Sequence, residues 1–301
     1  MGLAKSAMGT LAVLLVAGGA YYWFQERAAR PQPAMASAPE VRPPAEAPVS
    51  RAPASEPSSV ATPDTAEPAE PKKAATSAPD PGMPLRSGEI LDYTADVAKV
   101  SNVATLRLQV AERRNFVGKN AWHLQAFAHT QSPLRMVFEL DDQFDSYSDA
   151  GTLASLQYEM HLNERGQKVD SIQRMTTTSR EAASGNASQT RVLPGTRDPL
   201  GMMQFLRHVD WSKMHEVRGP VYDGHKLYDV RASLAGASQS VTVPAGTYTT
   251  DKVEIRVFDN GAEMKDAHFF VYFAGNEGRT PVLLEAEMPF ASARVGLKSS
   301  K

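Results

Sequence analysis

The chain has 301 residues, a formal net charge of −2 and no cysteine. The near-neutral charge provides no basic surface for nucleic acid, and the lack of cysteine excludes disulfides, thiolate metal sites and cysteine nucleophiles. Of the 21 prolines, 14 lie between Pro31 and Pro84, an interval without an aromatic residue, so the folded mass is expected to follow that interval.

The first predicted element is a membrane anchor. Residues 6–24 are 19 consecutive uncharged positions that end in four aromatic side chains, Tyr21 to Phe24. A helix of this length spans about 29 Å, close to the hydrocarbon thickness of a bilayer, and aromatic residues favour the bilayer interface. We predict that residues 1–28 contain a single transmembrane helix that contacts the lipid bilayer through residues 6–24. The alternative is a signal segment cleaved after Ala20.

The charges beside this segment bear on its orientation. Lys5 precedes the segment, whereas Arg27 and Arg30 follow it, and this count of positive residues favours a cytoplasmic carboxyl side. Long domains, however, cross the membrane largely regardless of flanking charge. On the family resemblance described below, we expect a single-pass protein of the inner (cytoplasmic) membrane with a periplasmic domain. If the segment is cleaved, the whole protein is expected in the periplasm.

A linker is predicted next, at residues 29–83. Its composition is mostly Pro, Ala, Ser and Glu, with too few apolar side chains to offset the entropy of the chain. We therefore predict a disordered segment with polyproline character. Its fully extended length is roughly 170 Å at about 3.1 Å per residue, and the average span is shorter.

Beyond Gly88 the apolar residues recur at every second position. This alternation predicts half-buried strands, so residues 84–301 are expected to form one mainly β domain, an antiparallel curved sheet or barrel-like fold. Further strands are predicted at 134–140, 154–162, 168–177, 226–234, 267–274 and 281–287. The residues predicted to face inward are Leu91, Tyr93, Ala95, Val97, Leu106, Leu108, Val110, Trp122, Leu124, Ala126, Val253, Ile255 and Val257.

Three tight turns are predicted between these strands. Asn163–Gly166 and Asn260–Gly261 combine Asn and Gly, which are typical of turns between strands. In Val243–Gly246, Pro244 has its φ preset and glycine at the fourth position fits a type I turn. This segment therefore predicts a strand, a turn and a second strand.

One short helix interrupts the β pattern. Asp198 stands where an N-cap belongs, and Pro199 follows at the first helical position. The helix is expected to lie across an open edge or end of the sheet. Met202 and Met203 fit an adaptable ligand site or, more commonly, ordinary core packing. Apolar residues follow at helical spacing, at Leu200, Met203, Leu206 and Val209.

No motif of a common enzyme class is present. The sequence lacks G-x-S-x-G, a Walker loop, G-x-G-x-x-G and H-E-x-x-H. The acidic stretch at 141–149 suggests a calcium loop, but Tyr147 and Ala150 occupy positions that need a ligand and a glycine. An exposed turn is the favoured interpretation of this stretch.

The histidines also fail to form a metal motif. His123 and His129 share one face of a strand, and His208 and His215 stand on either side of the helix end. Neither pair has a third ligand at zinc spacing, so ordinary hydrogen-bonded or exposed histidines are favoured. We predict no catalytic, cofactor-binding or metal-binding residue, no cofactor and no nucleic-acid partner, and the sequence identifies no ligand-binding residue.

Several segments, in their order, resemble one bacterial family. They cover nearly all of residues 85–298 and resemble the family called domain of unknown function 3108. The resemblance implies an exported envelope protein with an antiparallel, barrel-like β fold, and it carries no catalytic residues. KVSNV at 99–103 departs from the family's glycine-containing first turn. The segments are GEILDYTADV (88–97), FDSYSDAGTLASLQYEMHLNERG (144–166), DPLGMMQFLR (198–207), HKLYDV (225–230), VTVPAGTY (241–248) and RTPVLLEAEMPFASARVGL (279–297).

Three functional hypotheses remain. The first is a non-enzymatic, membrane-tethered periplasmic β domain that binds an envelope component, either an apolar ligand or a protein partner. The second is a structural envelope-assembly factor without a ligand. The third is a hydrolase whose Asp, His and Ser residues are dispersed in sequence and meet only in the fold.

Overall fold

The structure is a computed structural model that describes residues 84–136, 138–177, 188–288 and 291–301. The predicted anchor at 6–24 and linker at 29–83 lie outside these residues. The described part of the chain is mainly β, with one α-helix and one short 3₁₀ helix, as the alternation predicts.

All strands of the described residues belong to one sheet. The 3₁₀ helix covers Leu134–Met136 and the α-helix, α1, covers Pro199–His208. The strands are β1 (Ile90–Val97), β2 (Val100–Phe116), β3 (Lys119–Thr130), β4 (Asp141–Asp149), β5 (Ser155–Glu164), β6 (Gln167–Thr176), β7 (Ser188–Arg191), β8 (Glu216–Tyr222), β9 (Leu227–Val243), β10 (Gly246–Asp259), β11 (Ala262–Ala274), β12 (Pro281–Met288) and β13 (Ala291–Ser300).

The strand order makes the two ends of the domain neighbours in the middle of the sheet. The order is β7-β6-β5-β4-β3-β2-β1-β13-β12-β11-β10-β9-β8, so β1 pairs with both β2 and β13. All neighbours are antiparallel except β6 and β7, which are parallel. The chain is therefore a meander in two halves, joined where the first and last strands meet.

The sheet is curved and open, with β7 and β8 at its edges. The segment before α1 spans the gap between the two halves. The amide of Ser155 donates to the carbonyl of Thr196 (3.0 Å), and the amide of Arg197 donates to the carbonyl of Pro220 (3.0 Å) on β8. The amide of Tyr222 in turn donates to the carbonyl of Arg197 (2.8 Å). Two residues thus connect β5 to β8 without making a continuous strand.

The predicted inward face is confirmed. Tyr93, Leu106, Leu124 and Val253 are at most 1% exposed, and the other predicted inward positions are buried or pack against the core. Because side chains alternate along a strand, this places one apolar face of the sheet around a common interior. The strands predicted at 154–162, 168–177, 226–234, 267–274 and 281–287 are present within β5, β6, β9, β11 and β12.

The predicted turns are also present. Arg165-Gly166 and Asn260-Gly261 have positive φ at both positions, which matches the twist of a two-residue hairpin. Val243 pairs with Gly246 across Pro244-Ala245, so the hairpin predicted at 241–258 forms. In the first turn, where the family's glycine is missing, Ala98 takes a positive φ of 54°.

The β9–β10 hairpin extends beyond its neighbours and lies against β12 and β13. The amide of Ala245 donates to the carbonyl of Leu297 (2.9 Å), and Arg294 donates to the carbonyl of Thr242 (3.2 Å). A Cβ at Gly296 would lie 3.3 Å from Pro244. A side chain at residue 296 would therefore need the hairpin tip to shift by a few tenths of an ångström.

Two sequence predictions are wrong. Residues 134–140 do not form a strand: they contain the 3₁₀ helix, and only Leu140 makes an isolated bridge. The stretch at 141–149 is not an exposed turn but strand β4, whose buried positions include Asp142, Ser146 and Ser148. Periodicity missed β4 because its inward residues are largely polar, and it also missed β7, β8 and β13.

Helix α1 begins as predicted and packs against the inner face of the sheet. The Asp198 carboxylate caps it by accepting the amide of Gly201 (2.8 Å), and it also accepts the hydroxyls of Ser146 and Ser155. A Cβ at Gly201 would lie 2.9 Å from the Ser148 hydroxyl. The absence of a side chain at residue 201 therefore lets the first turn of α1 approach β4 and β5 closely.

The last turn of α1 is held by a buried ion pair. The Arg207 side chain has no exposed surface, and its Nη1 and Nη2 donate to the Glu89 carboxylate at 2.6 and 2.7 Å. Its Nε donates to the carbonyl of Gly278. Arg279 donates to the carbonyl of His208 (2.6 Å), which satisfies a helix-end carbonyl. These contacts fix α1 to the start of β1 and to the β11–β12 loop.

This ion pair predicts a large difference between two Glu→Gln substitutions. Glu89→Gln leaves the Arg207 charge buried without a carboxylate, so the free energy of unfolding should fall by about 3 kcal/mol. Glu277→Gln removes the exposed pair with Arg86 and should cost less than about 1 kcal/mol. Urea unfolding of the purified protein, followed by tryptophan fluorescence, measures both. Equal losses in the two variants would contradict the structural role assigned to Arg207.

Candidate functional site

A cavity lies between α1 and the inner face of β8–β13. Its empty volume is about 960 Å³, including the space open to solvent at its mouth. Because this volume includes open solvent, it is an upper bound on the space that a ligand can occupy. Apolar side chains dominate its wall, contributed by Leu108, Pro199, Leu200, Met202, Met203, Leu206, Val221, Val230, Ile255, Val257, Phe269, Val271, Leu284, Ala286, Ala293 and Val295.

Two alanines contribute small side chains to one wall. Ala286 on β12 and Ala293 on β13 are directly paired, and both are buried. On the opposite side, α1 lies close to β4 and β5 through Gly201. The alanine side chains are short, and α1 lies near the opposite wall. Space therefore remains that the larger neighbours Leu284 and Val295 do not fill.

Met202 and Met203, for which the sequence leaves a ligand site and core packing open, both line this cavity. Met202 is 6% exposed and Met203 is partly buried. Methionine is unbranched and adapts to different shapes, so these side chains can change rotamer as the cavity contents change. They pack in the core and line the cavity at the same time.

The cavity also has a polar part. Asp223, in the turn between β8 and β9, is 6% exposed, and Tyr228 on β9 is 5% exposed. Burial raises the pKa of the Asp223 carboxyl, while the amides of Lys226 and His225 donate to it and act in the opposite direction. Sequence analysis missed Asp223, because one acidic residue in a turn gives no signal of what the fold places beside it.

A second buried polar cluster surrounds the start of α1. Asp198 accepts from Ser146 and Ser155, and Ser146 contacts the hydroxyl of Ser148 at 2.8 Å. Burial raises the pKa of Asp198, and the serine hydroxyls and the amides of Gly201 and Leu200 lower it. Because these groups satisfy one another, the cluster serves to position the helix.

Two of the histidines for which an ordinary role is favoured, His123 and His129, lie in hydrogen-bonded pairs. His123 contacts Asp145 at 2.7 Å, His129 contacts Asp141 at 2.9 Å, and a third pair joins His161 to Asp170 at 2.7 Å. In the described residues, no group of three His, Asp or Glu side chains is placed to hold a metal ion.

The acidic side chains of residues 141–149, for which a calcium loop is the less favoured interpretation, lie on both faces of β4. Asp141, Asp145 and Asp149 point to the outer face, and Asp142 points inward, where it accepts the amide of Asn163 (2.9 Å). Side chains on opposite faces of a strand cannot converge on one ion. The stretch is therefore a structural strand.

The chain belongs to the family described as protein of unknown function (DUF3108), whose profile matches residues 92–298. This confirms the resemblance that the sequence segments suggest. No match is found among curated proteins.

Solved structures with a related arrangement are distant. A β-barrel-like protein of domain of unknown function DUF1849 from Brucella abortus is 14% identical, with a TM-score of 0.46, over 71% of this chain and 97% of that chain. A protein classed as exported, with a YmcC-like fold, from Bacteroides fragilis is 11% identical, with a TM-score of 0.33, over 73% and 98%. A protein classed as a lipoprotein from Parabacteroides distasonis is 13% identical, with a TM-score of 0.33, over 72% and 96%.

In the described part of the chain, no helix combines the length and hydropathy that crossing a bilayer requires. The anchor predicted at residues 6–24 lies outside that part.

Two neighbouring aspartates predict opposite effects of pH on stability. Burial raises the pKa of Asp142 from 3.8 to about 7, so between these values the folded state keeps a proton that the unfolded state has lost. The free energy of unfolding therefore falls as pH rises through this interval, by roughly 2–4 kcal/mol from this group. Asp142→Asn keeps an acceptor for Asn163 and should remove this loss, so the variant is more stable than the parent at pH 8.

The adjacent Asp141 is the control. Hydrogen bonds from Arg135 lower the pKa of its carboxyl to about 2, so its contribution is present above pH 3.8 and is lost as pH falls toward 2. Asp141→Asn should therefore be less stable than the parent at neutral pH. Urea unfolding of all three proteins between pH 4 and 8 measures these differences. Parallel pH curves for the parent and Asp142→Asn would disprove the assignment to Asp142.

Proposed function

We propose that this protein is a non-enzymatic binding protein of the bacterial envelope whose β domain takes up the apolar part of an amphiphilic envelope molecule. The cavity between α1 and β8–β13 carries this proposal, because it combines an almost wholly apolar wall with one buried polar region at Asp223 and Tyr228. Ligand pockets typically have this composition, with a few polar groups that orient the molecule.

The two other hypotheses have less support. An assembly factor without a ligand needs no internal cavity, and a domain evolved only for stability gains by filling one. A hydrolase needs a nucleophile within reach of a base. His123 pairs with a carboxylate, Asp145, and the buried serines around Asp198 donate to the Asp198 carboxylate. These observations favour binding over hydrolysis.

Filling the cavity tests the proposal. Ala286→Leu places three additional carbons toward empty space, so it should keep or raise the unfolding temperature and should reduce the amount of bound ligand. Ala126→Leu is the matched control, because Ala126 is buried on β3 and does not line the cavity. Overpacking at that site should cost about 1–3 kcal/mol without changing the bound ligand per folded molecule.

Native mass spectrometry and lipid extraction of the protein purified from its own membranes measure the bound molecule. An amphiphile that remains with the parent and with Ala126→Leu but is depleted from Ala286→Leu supports the proposal. Recovery of an empty parent protein, or equal amounts of ligand in both variants, counts against it.

We further propose that residues 1–28 anchor the protein in the inner membrane and that residues 29–83 tether the β domain, 84–301, in the periplasm. The apolar length of 6–24 and the proline-rich composition of the linker support this arrangement. Alkaline phosphatase fused after Lys301 should be active, and membrane pellets should retain the fusion. Phosphatase activity restricted to a soluble fraction would indicate cleavage instead. An inactive phosphatase fusion, together with a cytoplasmic reporter that folds at the same position, would indicate the opposite orientation.

A further inference from the structure

The polar part of the cavity offers a hydrogen-bond acceptor. Oδ1 of Asp223 accepts the amides of His225 and Lys226, both at 2.7 Å. Oδ2 accepts no hydrogen bond from another described residue. Asp223 lines the apolar cavity, so this carboxyl can accept a hydrogen bond from a donor on a bound molecule.

The charges around the cavity restrict the ligand. Within the described residues, no Lys, Arg or His lines it. The only other acidic residue of the lining, Glu285, accepts the hydroxyl of Tyr272 (2.7 Å) on the outer face of the sheet. An anionic head would therefore meet the Asp223 carboxyl with no Lys, Arg or His of the cavity lining beside it.

A cationic head is also disfavoured. A cationic head would have to leave water to enter this apolar wall, and its attraction to one buried carboxylate often fails to offset that cost. An uncharged donor avoids both penalties.

We propose that the ligand is an aliphatic molecule with an uncharged, hydrogen-bond-donating head, a hydroxyl or an amide N–H, which donates to Oδ2 of Asp223. This assignment rests on the ligand-binding function proposed above. The apolar wall takes up the chain, and Asp223 selects the head, because a site built to accept a hydrogen bond rejects analogues that lack the donor.

A series of ten-carbon ligands tests the head without altering the protein. Decan-1-ol, decyl methyl ether, decanoate and decylamine are titrated into the full-length protein in nanodiscs at neutral pH. Ligand-dependent shifts in the unfolding temperature, followed by tryptophan fluorescence, report affinity. Decan-1-ol should bind about tenfold more tightly than the ether, which keeps the oxygen but lacks the donor, and more tightly than either charged ligand.

A substitution series tests the residue. Asp223→Asn keeps an acceptor for the two turn amides but replaces Oδ2 by an NH2 donor, which can donate to the oxygen of either ligand. The roughly tenfold preference for decan-1-ol over its ether should therefore disappear. Asp229→Asn is the matched control: it makes the same change on β9 at a side chain that is 43% exposed and paired with Arg231. Partitioning of each ligand into the nanodisc lipid is common to all three proteins, so it cancels in the comparison.

The outcomes separate the two proposals. If decan-1-ol and its ether bind the parent equally, if Asp223→Asn keeps the parent's preference for decan-1-ol over the ether, or if a charged ligand binds most tightly, the assignment to Asp223 is wrong while cavity binding stands. If none of the four ligands stabilises the parent, the ligand-binding function and this inference both fail. The ligand series alone decides the question if Asp223→Asn does not fold.

Discussion

The position of α1 against the inner face of the sheet is the constraint on which the candidate site depends. Its first turn is fixed to β4 and β5 by Asp198 and by the close approach at Gly201. Its last turn is fixed to β1 and the β11–β12 loop by Arg207. With both ends held, the helix cannot move toward β10–β13 to close the remaining space, and the cavity persists.

These contacts are polar and buried, and removing polar groups from water costs free energy. An isolated buried charge is strongly destabilising, and even a well-formed buried pair contributes little net stability compared with apolar packing. Their advantage is geometric. Apolar side chains pack in many arrangements, whereas the Arg207 guanidinium meets the Glu89 carboxylate through two hydrogen bonds in one orientation. We interpret the polar contacts as positioning elements that keep one wall of the cavity in place.

The two halves of the sheet also contribute different side chains to the interior. The β1–β13 pairing brings the two ends of the domain together, so each half of the meander supplies one side of the interior. The half with β3–β6 holds the helix through polar groups on β4 and β5. The half with β8–β13 supplies the aliphatic wall, with alanine rather than a larger residue at 286 and 293. The cavity between the two is a consequence of their different compositions.

Local patterns in the sequence determined the strands with apolar alternation, the turns at Gly166 and Gly261, and the helix start at Asp198-Pro199, because these features depend on residues close in the chain. Strand β4 was not predicted, because its inward Asp142 and Ser146 are polar and take partners from β5 and from the residue before α1, which are distant in sequence. The cavity was not predicted from the sequence either. Its volume depends on the sizes and positions of side chains on α1, β12 and β13, which are distant in sequence. Only the tertiary structure therefore decided that space remains there and that Asp223 borders it.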